Sequence, residues 1–95
     1  MPESESIDLL AVPELVDGFL WEELDDGCVL YHEATGRMVT LNGSAEAVLS
    51  CCGGGVTAED VLRQAEGEFG LGGDDCMAGL RLLVKEGVIR LVLAT

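Results

Sequence analysis

Between residues 19 and 41 three short runs of strand-forming residues are separated by only two brief breaks, Asp25-Asp26-Gly27 and Ala34-Thr35-Gly36. Breaks this short join antiparallel neighbours, because a parallel pair needs a crossover of about a dozen residues or more. Gly27 and Gly36 supply the positive φ that tight hairpin loops use. The runs are residues 19–24, 28–33 and 37–41. In the third, Val39 and Leu41 point to one face and Met38 and Thr40 to the other. The spacing predicts a three-stranded antiparallel meander.

After residue 41 the period changes. Asn42, Gly43 and Ser44 stop the strand and offer helix-capping chemistry. A first helix is expected over 44–52, with Ala45, Val48, Leu49 and Cys52 on one face and Glu46 and Ser50 on the other. Gly53-Gly54-Gly55 ends it. Thr57 caps a second helix with Asp60 three residues on, a capping box with Asp in the acid position. Its buried stripe reads Ala58, Val61, Leu62, Ala65 and Phe69. Gly70, Gly72 and Gly73 break that helix, Asp74 or Asp75 caps a third reaching Glu86, and Gly87 suits the position past its end. Residues 88–93 read as a closing strand or extended tail.

On the third helix Cys76, Met77, Leu80, Leu83 and Val84 cluster as the core face. Ala78, Arg81, Leu82 and Lys85 lie on the other side, so a leucine stands outside the core stripe between two of the chain's five bases. That placement reads as the wall of a surface groove. The fold class is α+β: an N-terminal three-stranded antiparallel sheet, then three helices and a short C-terminal strand, the pattern of a winged helix-turn-helix.

Charge excludes the usual employment of that pattern. Eighteen Asp and Glu against five Lys and Arg give a net charge of -13 over 95 residues. Nucleic-acid affinity rests mainly on bases neutralising phosphates, and an anionic membrane surface repels such a chain equally. Neither nucleic acid nor membrane is expected as a partner. Half of the acids and none of the bases fall in residues 1–26. Residues 1–17 read as an acidic tail, with Ile7, Leu9, Leu10, Val12, Leu15 and Val16 able to pack part of it; residues 18–95 form the domain.

Catalytic signatures are missing. The sole histidine, His32, sits in a strand, where histidines are most often structural. The sequence holds no nucleophile elbow, phosphate loop or zinc-protease motif. Cys28, Cys51, Cys52 and Cys76 lack metal-ligand spacing and read as reduced thiols in a cytoplasmic protein. The N-terminus carries no secretory signal, and no run is long enough to cross a membrane. No catalytic residue, metal or cofactor is expected.

The stretch from Tyr31 through His32, Glu33, Ala34, Thr35, Gly36, Arg37, Met38, Val39 and Thr40 to Leu41 and Asn42 resembles a signature of PqqD-type peptide chaperones. That signature is a strand, a small-residue and glycine turn, and a strand ending Leu-Asn. The likeness continues through Ala45 and Val48-Leu49, Val56-Thr57, Phe69-Gly70, and Leu82-Leu83 to Gly87-Val88-Ile89, covering roughly residues 13–92. The family is also called the RiPP recognition element.

This resemblance implies a non-catalytic peptide-binding module. Such domains bind the leader segment of a ribosomally made precursor peptide and present it to a modifying enzyme, often a radical SAM protein. The leader adds as a strand beside the third strand and lies against the third helix. On this chain the implied edge is Arg37, Met38, Val39, Thr40 and Leu41, and the implied wall is Ala78, Arg81, Leu82 and Lys85. Arg81 and Lys85 are then placed to pair with leader carboxylates. The open edge also allows pairing with a second copy, a homodimer. Two features depart from the family: the adjacent Cys51-Cys52, which leaves a redox or metal role open, and the strongly acidic residues 1–26, suited to a basic patch on the modifying enzyme. The alternative is a winged-helix adaptor or regulator unconnected with peptide modification.

Overall fold

A computed structural model of the chain describes residues 7–93. In chain order the elements are β1 (Ala11–Leu15), β2 (Phe19–Leu24), β3 (Gly27–His32), β4 (Arg37–Asn42), α1 (Gly43–Cys51), α2 (Ala58–Phe69), α3 (Gly73–Lys85) and β5 (Ile89–Leu93). β2, β3 and β4 form the expected antiparallel sheet with β3 in the centre. Three helices and a closing strand follow, and the architecture is α+β.

The first hairpin turns on different residues from those the sequence suggests. Leu24 pairs with Gly27, so Asp25 and Asp26 make the turn, and neither has a positive φ. Gly27 opens β3 at φ +153°, where a Cβ would stand 1.9 Å from the carbonyl oxygen of Leu41. The glycine therefore serves the close approach of β3 to β4. His32 holds the other hairpin. Its ring meets Phe19 edge-on at 4.8 Å, and its Nδ1 lies 3.2 Å from Thr35 Oγ1.

Residues 11–15, within the segment read as a tail able to pack in part, form a strand. β1 pairs antiparallel with β5 from Ala11 opposite Leu93 to Leu15 opposite Ile89. Ala11 and Pro13 are buried, a period of two that the surrounding acids mask in the sequence. Glu14 faces Arg90 in register and pairs with it at 3.5 Å. The Glu59 amide donates to the Leu9 carbonyl at 3.0 Å, which ties the same segment to the first turn of α2. Residues 1–6 lie outside the described residues.

The core sits between the inner sheet face and the helices. Cys28, Leu30, Val39 and Leu41 meet Ala45, Val48 and Leu49 of α1, with Val61 of α2, Leu80 and Leu83 of α3, and Ile89 completing the cluster. Asn42 caps α1, its side chain accepting from the Ala45 amide at 2.9 Å, and Thr57 caps α2 by accepting from Asp60. α3 begins earlier than expected, with Gly72 at the cap and no side-chain cap bond. Asp74 and Asp75 fall in its first turn instead, where their charge complements the helix dipole.

Three burial expectations are corrected. Phe69 stands open at 48% exposure, because α2 ends on it, past the reach of the core. Cys51 is the more fully buried of its pair, with Cys52 half-buried against the core. On α3, Met77 and Val84 are half-buried while Gly79 is fully covered. α3 meets α1 at Gly79, where a Cβ would stand 3.0 Å from Ala45 Cα, and this close approach turns the buried face toward residues 76, 79, 80 and 83.

Candidate functional site

β4 is an outer strand of its sheet, so one row of its backbone donors and acceptors has no partner strand. α3 runs alongside it, pinned at two points. Gly79 touches the start of α1 immediately after β4, and Glu86, just past α3, reaches back to the first residue of β4. The helix therefore lies antiparallel to the strand. A hollow of about 630 Å³ opens between them, lined by Thr40, Leu41, Asn42 and Leu82 and floored at one end by the Leu24–Asp25–Asp26 turn.

Thr40, Leu41 and Leu82, from two separate elements, are brought together by this hollow. Val39 and Leu41 point inward and are 5% and 1% exposed; they fix the strand rather than meet solvent. Met38 points to the outer sheet face, 65% exposed, beside Leu20, Val29 and Tyr31. Arg37 is engaged: its Nη2 donates to Glu86 Oε1 at 2.7 Å. Ala78, Arg81 and Lys85 are exposed and Leu82 is half-buried. At the helical pitch, Ala78 and Lys85 lie within about 60° of Leu82, and Arg81 lies about 100° away.

One end of the hollow is acidic. Asp25 and Asp26 line it where β4 finishes, and the Arg37–Glu86 pair, one residue past Lys85, joins the start of β4 to the end of α3. Among the described residues Arg37, Arg63 and Arg90 each reach a carboxylate, and Arg81 and Lys85 form no such pair. Sequence reasoning missed Asn42, the Leu24–Asp26 turn and Glu86. The turn is traceable through strand register, since Gly27 pairs with Asn42. For Glu86 the sequence carries no local signal.

Among the described residues no three His, Cys, Asp or Glu side chains gather as a metal ion would require. Burial pushes the Cys52 thiol up to about 12, with Cys51 adding to the effect, and its Sγ donates to the Val48 carbonyl at 3.3 Å. Burial also raises Cys51, Cys76 and Cys28, the last to about 11 with Glu46 and Glu23 contributing. Thiols held in this state are poor nucleophiles at neutral pH. Among the described residues no helix is long and apolar enough to cross a membrane.

The model of the family described as coenzyme PQQ synthesis protein D (PqqD) matches residues 27–89, from the first residue of β3 to the first of β5. Among solved structures, TbiB1 in complex with the TbiA(beta) leader peptide has a TM-score of 0.61 to this chain at 20% identity. The match covers 81% of this chain and 94% of that one, and it shows a shared fold. No curated protein sequence matches the chain.

Proposed function

The chain belongs to the PqqD family, and from that membership we propose that it is a non-catalytic module that binds the leader of a ribosomally made precursor peptide and presents it to a modifying enzyme, such as a radical SAM protein. The observation that carries this reading is the open edge of β4 beside α3, with Thr40, Leu41 and Leu82 lining one hollow. A solved structure of like fold holds a leader peptide, which supports the same reading.

The physics of the site suits an extended peptide. Added beside β4, the leader becomes a fourth strand, and its main chain satisfies the unpaired edge. Alternate side chains then enter the hollow against Leu82, and the others continue the outer face beside Met38. Charge adds direction: a basic residue suits the Asp25–Asp26 end and an acidic residue suits Lys85 and Arg81. Arg37 is already neutralised by Glu86 and frames the groove. A second copy of the chain on this edge would compete with the peptide.

Titration calorimetry with the leader of a precursor encoded beside the gene tests the reading. One-to-one binding with a Kd of about 1 μM is expected, corresponding to roughly 8 kcal/mol, and Leu82→Asp weakens it at least about tenfold. Absence of heat with every neighbouring precursor overturns the proposal in favour of an adaptor role.

A further inference from the structure

On the far side of the sheet from the β4 groove, β2 is the second outer strand, and a separate cleft opens between it, the start of α1 and the end of α2. The cleft holds about 350 Å³. Its walls are aromatic: Trp21 is 42% exposed and Phe69 48%, on elements that approach only in the folded chain. The carboxylates of Glu23 and Glu46 line the same space, and none of the described residues lining it is a base. The Trp21 indole N–H donates to Glu46 Oε2 at 3.3 Å.

Two carboxylates alone make a solvated acidic surface. Two open rings flanking them make a different environment, because a cation held over an aromatic face gains from the ring quadrupole as well as from the acids. Burying a ring of this size is worth about 1.5–3 kcal/mol, so two open rings on one cleft leave apolar surface for an occupant to cover. Among the described residues neither carboxylate has a basic partner. The Glu46 carboxyl is pushed above the ordinary range by burial and then by the adjoining Glu23, with the Trp21 bond pulling the other way. A cation facing both acids favours their charged forms.

We propose that this cleft is a binding site for a basic side chain of a partner protein, arginine in preference to lysine, stacked between Trp21 and Phe69 and paired with Glu23 and Glu46. Arginine is favoured because its planar guanidinium stacks on a ring while its edge donates in a fork to carboxylates. The site lies on the edge strand opposite β4, so a partner docked here leaves the groove open. It is independent of the leader-binding reading.

Trp21 is the chain's single tryptophan, so its indole signal reports the cleft directly. The probe is N-acetyl-arginine amide at constant ionic strength, followed by Trp21 fluorescence and by the indole 1H–15N resonance. The expected result is a saturable shift at millimolar concentration, with residues 37–42 and 78–85 unmoved. N-acetyl-citrulline amide, of the same shape without the charge, is expected to give none. Combining Glu23→Gln with Glu46→Gln, both near-isosteric, weakens the arginine response at least about fivefold while the amide spectrum stays that of the folded protein. Equal response to citrulline, a linear response, or an unchanged affinity in the double variant overturns the proposal.

Discussion

The guanidinium of Arg37, the first residue of β4, donates to the carboxylate of Glu86, the residue that closes α3, at 2.7 Å. This contact joins the two walls of the candidate groove across 49 positions of sequence. It also uses the charge that a peptide carboxylate would otherwise meet at that end. Arg37 is then part of the frame, and the cations facing solvent on the helical wall are Arg81 and Lys85.

Being half-exposed on both sides, the pair contributes modestly to stability. Arg37→Gln and Glu86→Gln are each expected to cost no more than about 1 kcal/mol. A double-mutant cycle by urea denaturation gives a coupling of roughly 0.5–1 kcal/mol that shrinks at high salt. A coupling of zero places the contact outside the frame of the groove.

Two helical glycines are expected to respond in opposite directions to alanine. At Gly79 a Cβ meets the backbone of Ala45 at 3.0 Å, which cannot swing aside as a side chain would, so Gly79→Ala costs about 1–3 kcal/mol. At Gly67, in the last turn of α2, a Cβ meets open space, and Gly67→Ala gains up to about 1 kcal/mol from helix propensity. Thermal melts of the two variants check both signs.

Reversing the wall charges tests specificity without touching the core. Arg81→Glu with Lys85→Glu leaves the melting temperature nearly unchanged, as both side chains are exposed. Affinity for an acid-bearing leader falls roughly tenfold, about 1.4 kcal/mol, and salt dependence weakens with it. Calorimetry at two ionic strengths separates this loss from a loss of shape.

The buried thiols predict the alkaline limb of stability. Burial pushes Cys28 and Cys52 up to about 11 and about 12, above the ordinary thiol value of 9.0, so the folded state keeps them protonated where the unfolded chain ionises. With more protons bound to the folded form, stability falls as pH rises above about 9 and levels off above the raised values. The slope is at most about 1.4 kcal/mol per pH unit for each such thiol. Below pH 8 these groups leave stability flat, and iodoacetamide labels them slowly until the protein unfolds.

Local chemistry made much of this fold readable in the sequence. The meander follows from two short breaks and α2 from Thr57 and its Asp60 partner, whereas Leu82, read as outside the core stripe, packs against the core as Met77 and Val84 do. What stayed hidden depends on contacts between distant segments. β1 exists because β5 pairs with it, and nothing near residue 11 announces a partner near residue 93. Phe69 continues the stripe of α2 in period, yet the helix ends there and the core does not extend beneath it. The Asp25–Asp26 end of the groove appears only once register sets Gly27 opposite Asn42. In the candidate site, Thr40, Leu41 and Leu82 were expected together only through the family resemblance; the pairing of Arg37 with Glu86 was not expected.

The central claim is strand addition at β4, and the measurement closest to it is a 1H–15N NMR titration of labelled protein with the leader peptide. Shifts confined to residues 37–42 and 78–85, with slowed hydrogen exchange at the β4 amides that face away from β3, are the predicted result. Shifts along β2 with β4 unchanged, or β4 amides that exchange as fast with peptide as without, contradict it.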